Sequence, residues 1–104
     1  MPGIDYRKVK AAVSMEDVLE AIGWRPHHRE QDHLRGVCPL CGRGKTEGRT
    51  FVIKGNGWFC FGCKEGRGRS HLDLYALVKR IPLYAAATEL CKWRKITVPW
   101  KPAD

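Results

Sequence analysis

Apolar residues recur at helical spacing in three stretches of this chain and gather in short blocks in two others. Met15, Val18, Leu19 and Ile22 fall at i, i+3, i+4 and i+7, one stripe of a helix. Ser14 followed by Asp17 forms an N-cap pair of the capping-box type, and Gly23 supplies the stop. The helical reading covers residues 5–22 and leaves open whether 5–13 form a separate short helix. Residues 24–37 are polar with isolated apolar positions, of which Leu34 and Val37 are assigned to a strand. Phe51, Val52 and Ile53 read as a second strand. Asn56–Gly57 is a hairpin turn signal, and Trp58 and Phe59 begin the return strand. Ser70 with Asp73 repeats the capping logic and opens a helix through about Arg80, lined by Leu72, Tyr75 and Val78 and widened by Leu74 and Leu77. Pro82 suits the first position of another helix, where its missing N–H costs nothing. Leu83, Ala86, Ala87, Leu90 and Cys91 are the buried face of that helix. The tail KITVPWKPAD, with two prolines, reads as extended.

Both strand signals lead into cysteines. Cys38 and Cys41 (CPLC) and Cys60 and Cys63 (CFGC) are separated by 18 residues. Each pair puts two sulfurs on one tight turn, and two such turns face to face present four thiolates to one ion. Zinc accepts a tetrahedron of sulfurs without electronic preference, and the spacing is that of a zinc site. The rivals are iron in a rubredoxin-like site and a pair of redox dithiols. Four sulfur ligands leave no open position, so the expected cofactor is one structural Zn2+, holding together a chain of only 104 residues. Cys91, the fifth cysteine, reads as a small buried hydrophobe.

Composition adds a polyanion preference. The formal charge is +8, and it stays positive after four thiolates and one Zn2+ are counted. Over residues 25–69 there are ten Lys/Arg against four acids, so the excess gathers around the cysteine turns. The plain alternative is a solvated basic surface. The N-terminal MPGIDYRKVK is too polar for a signal peptide, and no apolar run reaches the length of a membrane span. An odd number of tightly spaced cysteines favours reduced thiols, so the expected location is cytoplasmic. On the strand that feeds the second turn, Trp58 and Cys60 cannot share a face with Phe59 and Phe61. One set packs the core, and the other can offer bases a stacking surface. His27, His28, His33 and His71 read as surface or hydrogen-bonded residues, with a phosphate contact considered for His71 beside its helix start.

The order is helix, Gly36–Cys41 (GVCPLC), a loop with Lys45 and Thr46, FVI, a hairpin, WFCFGC, a Gly-rich linker and two helices. It resembles the N-terminal zinc-binding domain of bacterial DnaG-type primases, a Cys-His-Cys-Cys zinc finger. The likeness spans about residues 5–94 and is most specific over Trp58–Cys63 with the helix near Ser70. Cys41 stands where that family usually has His. The resemblance implies a small α+β zinc ribbon, an antiparallel sheet of four or five strands flanked by N- and C-terminal helices. Its parts are an N-terminal helical segment (1–23), the ribbon (24–69), a helix pair (70–94) and an extended tail (95–104). It implies binding of single-stranded DNA template in replication and primer synthesis, beside a separate catalytic protein such as a polymerase core or helicase. Carried onto this sequence, the nucleic-acid face is assigned to Arg43, Lys45, Arg49, Lys54, Trp58, Lys64, Arg67 and Arg69. No catalytic residue is assigned, because phosphoryl transfer in that family needs a metal-binding acidic cluster and the acids here are scattered. Two rivals stand beside this reading. One is a protein–protein adaptor that docks a polymerase or helicase through the C-terminal helices and the Trp93–Trp100 tail. The other is a primase fragment active only with its catalytic subunit.

Overall fold

Ser14 and Ser70 each close a reciprocal capping box, and these two boxes set where the helices start. The Asp17 N–H donates to Ser14 Oγ (3.1 Å), while the Ser14 N–H donates to Asp17 Oδ2 (2.9 Å). The Ser70 N–H donates likewise to Asp73 Oδ2 (2.8 Å). Such a box satisfies two of the N–H groups that a helix start leaves without partners. The computed structural model describes residues 3–41, 50–64, 66–67 and 69–100. Among them run α1 (Tyr6–Ala12), α2 (Met15–Ile22), β1 (His28–Arg29), β2 (Leu34–Gly36), β3 (Phe51–Lys54), β4 (Gly57–Cys60), α3 (His71–Lys79) and α4 (Leu83–Arg94).

The N-terminal helical region is therefore two helices. Val13 is extended (φ −109°, ψ 121°) and buried, so the chain breaks there and restarts on Ser14. Gly23 ends α2 in the left-handed region (φ +74°), with the Trp24 N–H donating back to Leu19 O at 2.9 Å. Pro82 caps α4 instead of opening it. Its φ of −65° suits either place, but its ψ of 159° keeps it outside the helix, and its carbonyl accepts the Ala86 N–H at 3.0 Å.

The four strands form one antiparallel sheet in the order β1-β2-β3-β4. The short β1 has no counterpart among the expected strands. Register pairs Leu34 with Ile53 and Ile53 with Trp58, then Gly36 with Phe51 and Phe51 with Cys60. Residues directly opposite share a face, so these six point toward the helices. Arg35, Val52 and Phe59, also mutually opposite, point the other way. The alternation read from the sequence holds: Trp58 and Cys60 are buried, while Phe59 is half-buried and Phe61 exposed.

Helices cover the inner face. α3 packs on β4, α2 packs on α3 and α4, and α1 packs on α4. The core draws on all four helices and on β3 and β4, from Ile4, Val9 and Val18 through Phe51 and Trp58 to Leu72, Leu74, Leu90 and Cys91. Burying each such large apolar side chain contributes about 1.5–3 kcal/mol. Ile96 and Val98 of the tail pack against this core, and Trp100 forms an isolated antiparallel bridge with Ile4. The Asp5 N–H donates to Pro99 O at 2.7 Å, so the two ends of the described chain lie together.

His71 lies inside this core, 1% exposed, and not at a surface where phosphate could reach it. Its Nε2–H donates to Val13 O (2.6 Å), while Nδ1 has no hydrogen-bond partner. Burial pulls its pKa below the ordinary 6.5; the backbone groups of Val13 and Lys10 and the Asp73 charge oppose this, and the Lys10 charge adds to it. The folded chain therefore favours neutral His71, and protonation favours the unfolded chain. This contribution is complete above about pH 6.5 and is lost as pH falls toward the depressed folded value. His71→Gln keeps an N–H for Val13 and does not titrate. Its urea midpoint should start lower but change less between pH 7.5 and 5.5 than that of the parent, and parallel slopes would contradict this account.

Gly66 adopts φ +113°, and a Cβ there would lie 2.4 Å from Trp58 O and 2.6 Å from the Trp58 ring. Gly66→Ala should cost about 3 kcal/mol or more, combining left-handed strain with a backbone clash. Denaturant unfolding checks it, and a loss below about 1 kcal/mol would show that the linker does not need this approach.

Candidate metal centre

The sheet delivers both cysteine turns to one end. β2 leads through Val37 into Cys38, and β4 ends on Cys60 itself. The Sγ atoms of Cys38, Cys41, Cys60 and Cys63 all lie within 4.8 Å of one another. Across the two turns, Cys41 Sγ is 3.6 Å from Cys60 Sγ and Cys38 Sγ is 3.9 Å from Cys63 Sγ. Sulfurs about 2.3 Å from a zinc ion at a tetrahedron's centre have edges of about 3.8 Å. None of the four is in a disulfide.

Each turn also prepares its first sulfur for negative charge. The N–H groups of Leu40 and Cys41 donate to Cys38 Sγ (3.3 and 3.4 Å), and the Cys63 N–H donates to Cys60 Sγ (3.3 Å). The second turn is pinned by the Phe61 N–H donating to Thr50 O and the Lys64 N–H donating to Cys60 O, each at 2.9 Å. Lys64 takes φ +61° to complete it. Cys38 and Cys60 are buried, Cys63 is half-buried and Cys41 is exposed. Burial pushes the Cys38 thiol far above its ordinary pKa, and the two N–H donors oppose this only in part. Four thiolates this close, two of them buried, need a cation to exist. The donor set, the spacing and the N–H···S bonds fit a metal ion held by four sulfurs, with no position left for a substrate.

Two indoles tie this end to the helices. Trp24 Nε1–H donates to Val37 O (2.6 Å), and its ring sits so close to Gly36 that a Cβ there would be 2.6 Å away. Trp58 Nε1–H donates to Ser70 O at 2.8 Å, joining β4 to the cap of α3. Phe51 lies between them, 5.5 Å from Trp24 and 5.9 Å from Trp58 by ring centroid.

Trp58 is thus a core residue, 4% exposed, and its assignment to a nucleic-acid face is corrected. An aromatic ring that stacks on bases must reach solvent, and Trp58 faces the helices. The exposed aromatic is Phe61 (52%), edge-on to Phe59 at 5.0 Å. Counting strand alternation outward from Cys60 would have identified this pair. Lys64, Arg67 and Arg69 are exposed on the segment leaving the second turn. Lys54 is exposed and lies 3.4 Å from Asp32, whose carboxyl is held below its usual range by hydrogen bonds from His33 and Lys54. Arg43, Lys45 and Arg49 lie outside the described residues. Arg35, on the solvent face of β2 opposite Val52, was not among the assigned site residues. Cys91 is buried on α4 with its thiol pushed up by burial, apart from the four-sulfur cluster. No helix among the described residues is long and apolar enough to cross a membrane.

Comparison of the chain with known protein families, with curated proteins and with solved structures finds no match in any of the three.

The purified protein should carry one metal ion per chain, measured by elemental analysis. Cys60→Ser should lose the ion and with it several kcal/mol of stability, because metal binding and folding share one free energy. Cys91→Ser should keep full metal content. Equal retention by Cys60→Ser and the parent would remove the cluster as a metal centre.

Proposed function

We propose that this chain is a zinc-stabilised, nucleic-acid-binding module of the primase zinc-binding type. It grips single-stranded DNA template in replication and primer synthesis and acts with a separate catalytic protein. The zinc is structural and the chain is not itself an enzyme. Its setting in this reading is the cytoplasm, where thiols stay reduced.

One observation carries the reading: the sheet face turned away from the core, on which no helix among the described residues packs, brings the Arg35 cation together with Phe59 and leads to the exposed Phe61 at the cysteine turns. Arg35, Val52 and Phe59 lie across that face, with Phe61 next along β4. Lys64, Arg67 and Arg69 follow directly in the chain. Stacking on an aromatic ring is sequence-tolerant, and cations neutralise the phosphates between stacked bases. The net charge of +8 draws a polyanion toward the molecule from a distance. The element order, with helices before the ribbon and two after it, agrees with the primase resemblance. The second reading, an adaptor for a polymerase or helicase, is favoured by the exposure of Trp93 (42%), Trp100 (56%) and Tyr84 (62%).

Fluorescence anisotropy with labelled single-stranded DNA over a salt series tests the proposal. Affinity should fall linearly in log–log form with salt. Arg67→Glu/Arg69→Glu should lower both affinity and salt slope, by about 0.7 in slope for each phosphate left without its cation. Phe61→Ala should cost about 1–3 kcal/mol with the slope unchanged. No measurable binding by metal-loaded protein at low salt would favour the adaptor.

A further inference from the structure

The helical layer does not cover the whole inner face of the sheet. Ile53 on β3 and Trp58 on β4 are 3% and 4% exposed, whereas Leu34, in register beside Ile53 on β2, is only half-buried. The reason is where the helices anchor. α3 packs on β4, and the first turn of α2 is held at the β3–β4 hairpin by the Met15 N–H donating to Asn56 Oδ1 (3.3 Å). The β1–β2 half therefore faces a groove along α2. Two adjoining cavities of about 580 and 290 Å3 open there, both lined by Glu16, Leu19, Arg29 and Leu34.

We propose that this groove docks a short amphipathic segment of a partner protein, with an apolar stripe flanked by Lys or Arg on one side and by an acid on the other. The apolar part of the lining is the nearly buried Leu19 with the half-buried Leu34 and Trp24, while polar groups make up the larger share of the first cavity's exposed lining. One wall is α2, where Glu16 and Glu20 stand one helical turn apart and line the same cavity. Away from α2 the lining carries Arg25 and Arg29 in the first cavity and Arg29 with Asp32 in the second, so basic groups outnumber acids there. Opposite signs on facing walls select a segment of mixed charge in a fixed orientation. They also disfavour nucleic acid, because a phosphate chain lying in the groove would run against Glu16 and Glu20. Cavities of this size take a few side chains, the scale of a peptide's anchor residues and not of a whole domain.

This surface is independent of the nucleic-acid reading. It lies on the inner face with Leu34 and Ile53, whereas Arg35, Val52 and Phe59 face the other way. It also differs from the exposed Trp93 and Trp100, which line neither cavity.

The test uses the full, metal-loaded, isotope-labelled chain and amide and indole chemical shifts. The probe is a synthetic peptide with Leu at i, i+3, i+4 and i+7, Lys along one flank and Glu along the other. Its controls are a scrambled peptide of equal composition and an oligothymidine. The peptide should shift Leu19, Leu34 and the Trp24 indole, and the controls should not. Glu16→Lys/Glu20→Lys should weaken the peptide about tenfold or more, with metal content unchanged and oligothymidine bound no more weakly than by the parent. Glu16→Gln/Glu20→Gln, which keeps helix-forming residues at both sites, should give an intermediate loss and serves if the reversal unfolds the chain. The proposal is overturned if no peptide shifts appear, if the scrambled peptide binds equally well or if oligothymidine shifts the groove. It is also overturned if neutralising both glutamates changes nothing, or if groove resonances move on dilution alone, which would make the occupant a second copy of the chain.

Discussion

Four sulfurs within 4.8 Å of one another are the constraint on which the rest of this chain depends. Without a cation, burial would keep the Cys38 thiol protonated, and only weak S–H contacts would join the two turns. With one, four anionic ligands converge on a single centre and close the stretch from Cys38 to Cys63. That closure compensates for a small core. A chain of this length buries a limited share of its surface, so a cross-link worth on the order of 10 kcal/mol sets whether the sheet persists. The sheet is short, with strands of two to four residues. Such strands hold their register because their ends are pinned.

The pinning reaches the helices through two indoles. Trp24 joins the end of α2 to the backbone just before Cys38, and Trp58 joins β4 to the cap of α3. Both contacts need a glycine at the point of closest approach, Gly36 under Trp24 and Gly66 against Trp58. Sheet and helical layer are therefore positioned by the same aromatic cluster that backs the metal centre. His71 adds a third tie, from the first turn of α3 to Val13 between α1 and α2. Burial, not the bond to Val13, favours the neutral imidazole there, and this couples the helical layer to pH.

Much of this was legible in the sequence because the signals are local. Ser14–Asp17 and Ser70–Asp73 announce their helices within four residues, and CPLC and CFGC announce their turns. The α+β class and the antiparallel sheet follow from these pieces. What could not be read depends on partners distant in the chain. β1 has two residues and no periodicity of its own, and it exists because Arg35 and Leu34 offer it a neighbour. Trp58 looked like a surface ring because it sits among cations. Register with Ile53 turns it inward, and Ser70 satisfies its N–H. Strand alternation could have placed it, since Cys60 must face inward to reach the other three sulfurs. The depth of His71 and the uncovered half of the inner face follow from where helices land on the sheet, which no local pattern specifies.

The sheet thereby offers two surfaces of different chemistry. Its outer side holds Arg35, Val52 and Phe59, with no helix among the described residues packed on it, and its inner side is shared between the core and the groove along α2. The two are separated by one layer of backbone, yet period-two alternation keeps their side chains apart. A substitution at Arg35 leaves Leu34 in place, and one at Leu34 leaves Arg35 in place. Charge follows the same division. Glu16 and Glu20 lie on α2 beside the groove, while Lys64, Arg67 and Arg69 leave the second metal turn. Under the two proposals, a small chain with one core would hold a polyanion and a protein segment on opposite faces, and a rigid cysteine end would keep both faces in register.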